Sequence, residues 1–168
     1  MGSFAWRITV RNLQRKAPVD IVDLATFAKC AFELCLRLPT KRRTELQTLR
    51  EISLLIVSDR RIASLNRQFL NESGPTDVIT FQHGEIFISA ETARRQARQF
   101  RTTLKHELQL YLVHGLLHLH GFDDRTRAGA RRMQRRQERI LRSASKSQIP
   151  NPKHQRNPKH QAPNFRRR

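Results

Sequence analysis

Glu51-Ile52-Ser53-Leu54-Leu55-Ile56-Val57 is a short, nearly continuous apolar run, and Ser58-Asp59 follows it at once, with Ile62, Leu65 and Phe69 at helical spacing beyond. A strand with one wet face alternates polar and apolar side chains; one that is apolar almost throughout is covered on both faces. The Ser-Asp pair offers side-chain oxygens to free backbone amides, so the chain turns from strand into helix there, with Ile62, Leu65 and Phe69 inward. On the N-terminal side, Phe4 to Arg11 alternates, with Phe4, Trp6, Ile8 and Val10 on one face, and reads as a strand. Between the two strands, Val19 to Leu38 carries Ile21, Leu24, Ala25, Ala28, Phe32 and Cys35 at helical spacing, and Pro18 suits a first helical turn. On the C-terminal side, Asn71 to Asp77 is a turn-rich loop, and Val78 to Phe81 and Glu85 to Ser89 read as strands flanking Gln82-His83-Gly84. Helices are expected over Glu91 to Phe100, Leu104 to His120 and Arg125 to Arg142. This order predicts an α+β fold, a small mixed β-sheet packed with helices.

Charge bounds the function. The 168 residues carry 33 Lys plus Arg against 14 Asp plus Glu, a formal charge of +19, which points to a polyanionic partner and proposes nucleic acid. Residues 143–168 hold seven of the basic residues, no acidic one, four of the seven prolines and an imperfect repeat of Asn151-Pro152-Lys153-His154-Gln155. Such a segment buries too little apolar surface to offset its ordering entropy, so the chain divides into a folded domain, residues 1–142, and a basic, Pro-rich, disordered tail, residues 143–168. The tail reads equally as an RNA-binding arm and as a solvated extension. No run approaches the ~18 apolar residues of a membrane span, and the start lacks a basic segment followed by an apolar stretch, so a soluble cytoplasmic protein without a membrane partner is expected. Cys30 and Cys35, five apart on different faces of a helix, are expected to be buried thiols.

The last part of the most apolar helix reads His114-Gly115-Leu116-Leu117-His118-Leu119-His120-Gly121-Phe122-Asp123-Asp124. His114 and His118, at i and i+4, share one helical face and can reach one ion. Gly121 stops the helix and turns the chain, so that Asp124 offers a carboxylate from a third direction. Two imidazoles and a carboxylate suit Zn2+, one per chain, with a fourth position open for water whose pKa falls toward ~7. His120 points away from that face and His106 lies two turns earlier near the helix start, so both read as solvent or core histidines, and Asp123 is a weaker ligand candidate than Asp124 that otherwise caps or is solvated. A zinc protease of the His-Glu-x-x-His kind needs a glutamate where Gly115 stands, which removes its base.

The run from His114 to Asp124 resembles the signature of the YbeY family of metal-dependent bacterial endoribonucleases. Ile52 to Val57, Leu65-Asn66, Pro75-Thr76-Asp77-Val78-Ile79-Thr80-Phe81 and Gly84 to Ser89 resemble further segments of that family. The resemblance covers about residues 4 to 142. It implies a mixed sheet against helices with a metal at one end of a cleft, a single-strand-specific nuclease, and a part in 3′-end maturation of small-subunit (16S) ribosomal RNA and in ribosome quality control. Its three histidine ligands fall on His114, His118 and Asp124, so an aspartate stands in for the third. Leu70 stands where the family usually has an arginine after an aromatic residue, here Phe69.

No single residue presents itself as general base; Glu85, His83 and Asp77 fall in segments the family places near the cleft. Arg67, Arg94, Arg98, Arg132 and Arg136 are candidates for RNA contact, with Arg95, Arg131, Arg135 and Arg139 on the same two helices as the last four. A rival reading is a ribosome-assembly or RNA-binding factor whose metal is structural or vestigial, and Leu70 and Asp124 favour it.

Overall fold

A computed structural model describes residues 6–147. In chain order it contains β1 (Arg7–Asn12), α1 (Ile21–Leu36), α2 (Glu45–Thr48), β2 (Glu51–Val57), α3 (Asp59–Leu65), β3 (Val78–Thr80), β4 (Glu85–Ser89), α4 (Ala90–Phe100), α5 (Leu104–Leu119) and α6 (Arg127–Ser147). The four strands form one mixed sheet in the order β1-β2-β4-β3. β2 lies parallel to β1 and to β4, with Leu54 opposite Val10 and Ile86, and β3 closes the far edge antiparallel to β4. The architecture is the α+β arrangement expected from the strand and helix order.

β2 is covered on both faces because its side chains feed two cores. Ile52, Leu54 and Ile56 enter the larger one, with Phe27 and Phe32 of α1, Leu112 and Leu116 of α5 and Met133 and Ile140 of α6. Leu55 and Val57 enter the smaller one, with Ile62, Leu65, Ile79 and Phe87. A helix that is apolar nearly all round must be enclosed. α5 packs against α1, α4, α6 and the β3–β4 pair. At Gly115 the approach is so close that a Cβ would lie 2.8 Å from Thr80 Oγ1 and 3.0 Å from Ile86 Cγ2, so this position has no room for a glutamate.

Several boundaries differ from expectation for identifiable reasons. α1 starts at Ile21 because the Asp20 carboxylate accepts from the Asp23 amide at 2.9 Å, leaving Pro18 outside the first turn. After α3 the chain widens into a π turn, Asn66–Leu70. A π turn holds one residue more than an α turn, so the side chains after it fall out of phase. Asn66 is buried, whereas Phe69, expected inward, is 55% exposed and Leu70 is 51% exposed. α2 was not anticipated; Thr44 and Gln47 form its capping box. α6 continues to Ser147 with Ala144 buried, so residues 143–147 belong to the helix and not to the tail. The repeat and the rest of the tail, like Phe4, lie outside the described residues. Cys35 is buried and Cys30 half-buried, both free, and burial pushes the Cys35 thiol up to about 12. Among the described residues no helix is long and apolar enough to cross a membrane.

Candidate metal centre

α5 ends in a Schellman motif. Gly121, in the left-handed region at φ 89°, donates its amide to the His118 carbonyl at 2.9 Å, and Phe122 donates to the Leu117 carbonyl at 3.0 Å. This reversal folds residues 121–124 back over the last helical turn. The returning segment is then fitted against α6, where a Cβ on Gly129 would lie 2.3 Å from the Asp123 carbonyl oxygen. His114, His118 and Asp124 are thereby brought together, each offering one ligand atom within 4.8 Å of the others.

The two imidazoles face each other through Nε2, 2.9 Å apart, and Asp124 oxygens lie 3.7 Å from His114 Nε2 and 4.0 Å from His118 Nε2. The partners of the opposite ring nitrogens fix how the two rings are turned. His118 Nδ1 lies 3.1 Å from the Phe122 carbonyl, which only accepts, and His114 Nδ1 lies 3.1 Å from Gln137 Oε1. With each Nδ1 turned to one of these acceptors, each Nε2 is the ring nitrogen left facing the other ring and the Asp124 carboxylate. A cation seated there would be held by both rings and partly neutralised by the carboxylate. Burial first, then the neighbouring His114, holds His118 below the ordinary imidazole pKa against the pull of Asp124, Asp123 and the Phe122 carbonyl. The neutral ring is the form that ligates metal.

The donor set fits zinc. Bonds of about 2.0–2.1 Å in a tetrahedron place donor atoms ~3.3 Å apart, between the 2.9 Å and the 3.7–4.0 Å separations here. Gln137 and the Phe122 carbonyl were not identified from sequence. The signal for Gln137 is a polar residue interrupting the buried stripe Gly129, Met133, Ile140 and Ala144 of α6.

The other candidates divide. His83 and Glu85 pair with each other at 3.0 Å on the exposed β3–β4 hairpin. The Asp77 carboxylate accepts from Thr76 Oγ1 and from the Val78 amide, and so braces its turn. Asp123 accepts from the Arg125 amide at 2.8 Å, which braces the turn before α6, while Thr126 Oγ1 accepts from the Gly129 amide at the start of that helix. His120 is 2% exposed and bonded within the core. Arg67, Arg98 and Arg132 are exposed. Arg94 spends a guanidinium N–H on the Lys16 carbonyl, and Arg136 lines a groove with Arg37 and Arg139.

The family model described as Endoribonuclease YbeY matches residues 9–145. Similar proteins include the Endoribonuclease YbeY of Anaeromyxobacter sp. (strain Fw109-5), 44% identical over an alignment of 103 positions that covers 55% of this chain and 54% of that protein. That of Moorella thermoacetica is 40% identical over 54% of this chain and 70% of its own. That of Myxococcus xanthus is 38% identical over 54% of this chain and 35% of its own. The chain thus matches about half or less of the length of the Anaeromyxobacter and Myxococcus relatives. The solution structure of the Thermotoga maritima protein TM1509 has the same fold, with a TM-score of 0.60 at 24% identity over 91% of this chain and 99% of that one. The family model spans residues 9–145, well over half of the chain, and the chain belongs to the YbeY family.

Proposed function

We propose that the chain is a metal-dependent endoribonuclease that hydrolyses phosphodiester bonds of single-stranded RNA. His114 Nε2, His118 Nε2 and an Asp124 oxygen would hold one Zn2+ per chain. The observation that carries this reading is the convergence of one nitrogen from each of two imidazoles and a carboxylate oxygen within 4.8 Å. A zinc ion held there supplies Lewis acidity toward a phosphoryl oxygen and lowers the pKa of water. The chain's own part is to fix both rings through Gln137 and the Phe122 carbonyl and to balance positive charge with Asp124. The exposed His83–Glu85 pair is the candidate proton acceptor. The charge of +19 suits an RNA substrate, and family membership supports a role in 3′-end maturation of 16S ribosomal RNA and ribosome quality control, at the ribosome in the cytoplasm.

A second reading, an assembly factor with a structural metal, is favoured by exposed Leu70 at the position where the family usually has an arginine. Chelation distinguishes the two. Cleavage of a single-stranded RNA should stop when the metal is stripped and return when zinc is restored. RNA binding without cleavage by the zinc-loaded protein would establish the second reading.

A further inference from the structure

We propose that the loop from Pro39 to Arg43, with the turn that ends α5, forms a phosphate-binding subsite for single-stranded RNA beside the metal centre. The proposal rests on the reading of that centre as acting on RNA. A cavity of about 480 Å³ lies between this loop and the turn, lined by Lys41, Arg42, Arg43, His120, Gly121 and Phe122 among others. The three cations are consecutive and exposed, and none makes an ion pair among the described residues. Glu45 is the one carboxylate lining the cavity.

A run of charge on a mobile loop is simply solvated, but this loop is pinned at both ends by one buried ring. His120 Nε2 donates to the Leu38 carbonyl at 3.2 Å, and Thr44 Oγ1 donates to His120 Nδ1 at 3.5 Å. Thr44 is pinned again by its capping box with Gln47. The cations are therefore held over the cavity at small ordering cost on binding. The far wall, Gly121 and Phe122, lies in sequence between His118 and Asp124, and the Phe122 carbonyl orients His118. The cavity and the metal centre thus share the turn that carries Phe122 and leads to Asp124.

Each phosphate neutralised on a single strand contributes about 0.7 to the slope of log affinity against log salt. Reversing three contacts, K41E/R42E/R43E in the full zinc-loaded chain, should lower that slope by about 2 and raise Kd for a single-stranded RNA at least about tenfold, with metal content unchanged. K41Q/R42Q/R43Q should fall between it and wild type, and a charge-matched reversal at Arg7, Arg11 and Lys29 should move Kd far less. If the loop variants bind like the Arg7, Arg11 and Lys29 control, the subsite is overturned. Cleavage is scored in the same samples: wild type that binds without cleaving defeats the proposed reaction, while the subsite is judged on Kd alone.

Discussion

Gln137 and the Phe122 carbonyl each sit 3.1 Å from the Nδ1 of a histidine whose Nε2 faces its neighbour. Partners of this kind set tautomer and ring orientation, and their loss costs about 10- to 100-fold in metal affinity. Gln137→Ala should weaken zinc binding by that factor in a chelator competition while leaving the unfolding midpoint of the metal-free protein near wild type. A second expectation at this scale concerns pH. Burial foremost holds His118 and His120 below the ordinary value of 6.5, helped at His118 by His114 and opposed at His120 by the Leu38 carbonyl. The unfolded chain takes up protons near that pH while the folded one resists, so unfolding binds protons and stability falls as pH drops below about 6.5, with no such dependence above it. Denaturant midpoints of metal-free protein at pH 7.5 and pH 5.5 should differ in that direction, and less so in His118→Asn; equal midpoints in wild type would contradict the assignment. The His114, His118 and Asp124 set was legible because helical spacing and a glycine stop are local. Gln137 was not, because its meeting with His114 is made by the packing of α6 on α5.

At the level of elements, the end of α5 determines where Asp124 goes. An L residue in the left-handed region costs about 1 kcal/mol relative to glycine, so Gly121→Ala should lower stability by about that amount and loosen zinc as the returning segment shifts. Equilibrium unfolding and metal titration on one variant read both effects. Gly115→Ala tests the contact of α5 with the sheet: its Cβ would meet Thr80 Oγ1 at 2.8 Å, and overpacking of this kind costs about 1–3 kcal/mol. The strands and long helices were readable because Leu54, Ile56 and their neighbours leave a periodic or continuous apolar trace. The π turn left none. Its extra residue carries Phe69 outward although the spacing of Ile62, Leu65 and Phe69 is helical. α2 is four residues long, too short for periodicity, and only the Thr44–Gln47 box marks it.

For the whole molecule, the charge of +19 divides between the described domain and residues 148–168, which hold six of the basic residues. Removing residues 148–168 should preserve zinc content and the unfolding midpoint while making RNA binding weaker and less salt-dependent. Cutting instead after Arg142 also removes the last part of α6 with buried Ala144 and should lower the midpoint, which a thermal melt of the two truncations compares directly. Composition drew the boundary at Arg142 because Ser143 to Ser147 is polar apart from Ala144, and the packing of that one alanine is not visible in composition. His114, His118 and Asp124 are proposed to hold the zinc that RNA cleavage requires. Zinc stoichiometry and cleavage of a single-stranded RNA, measured on the same preparations of wild type and His118→Ala, test this most directly. One zinc per chain with cleavage in wild type, and the loss of both in the variant, is the expected result; full zinc content or undiminished cleavage in His118→Ala would contradict it.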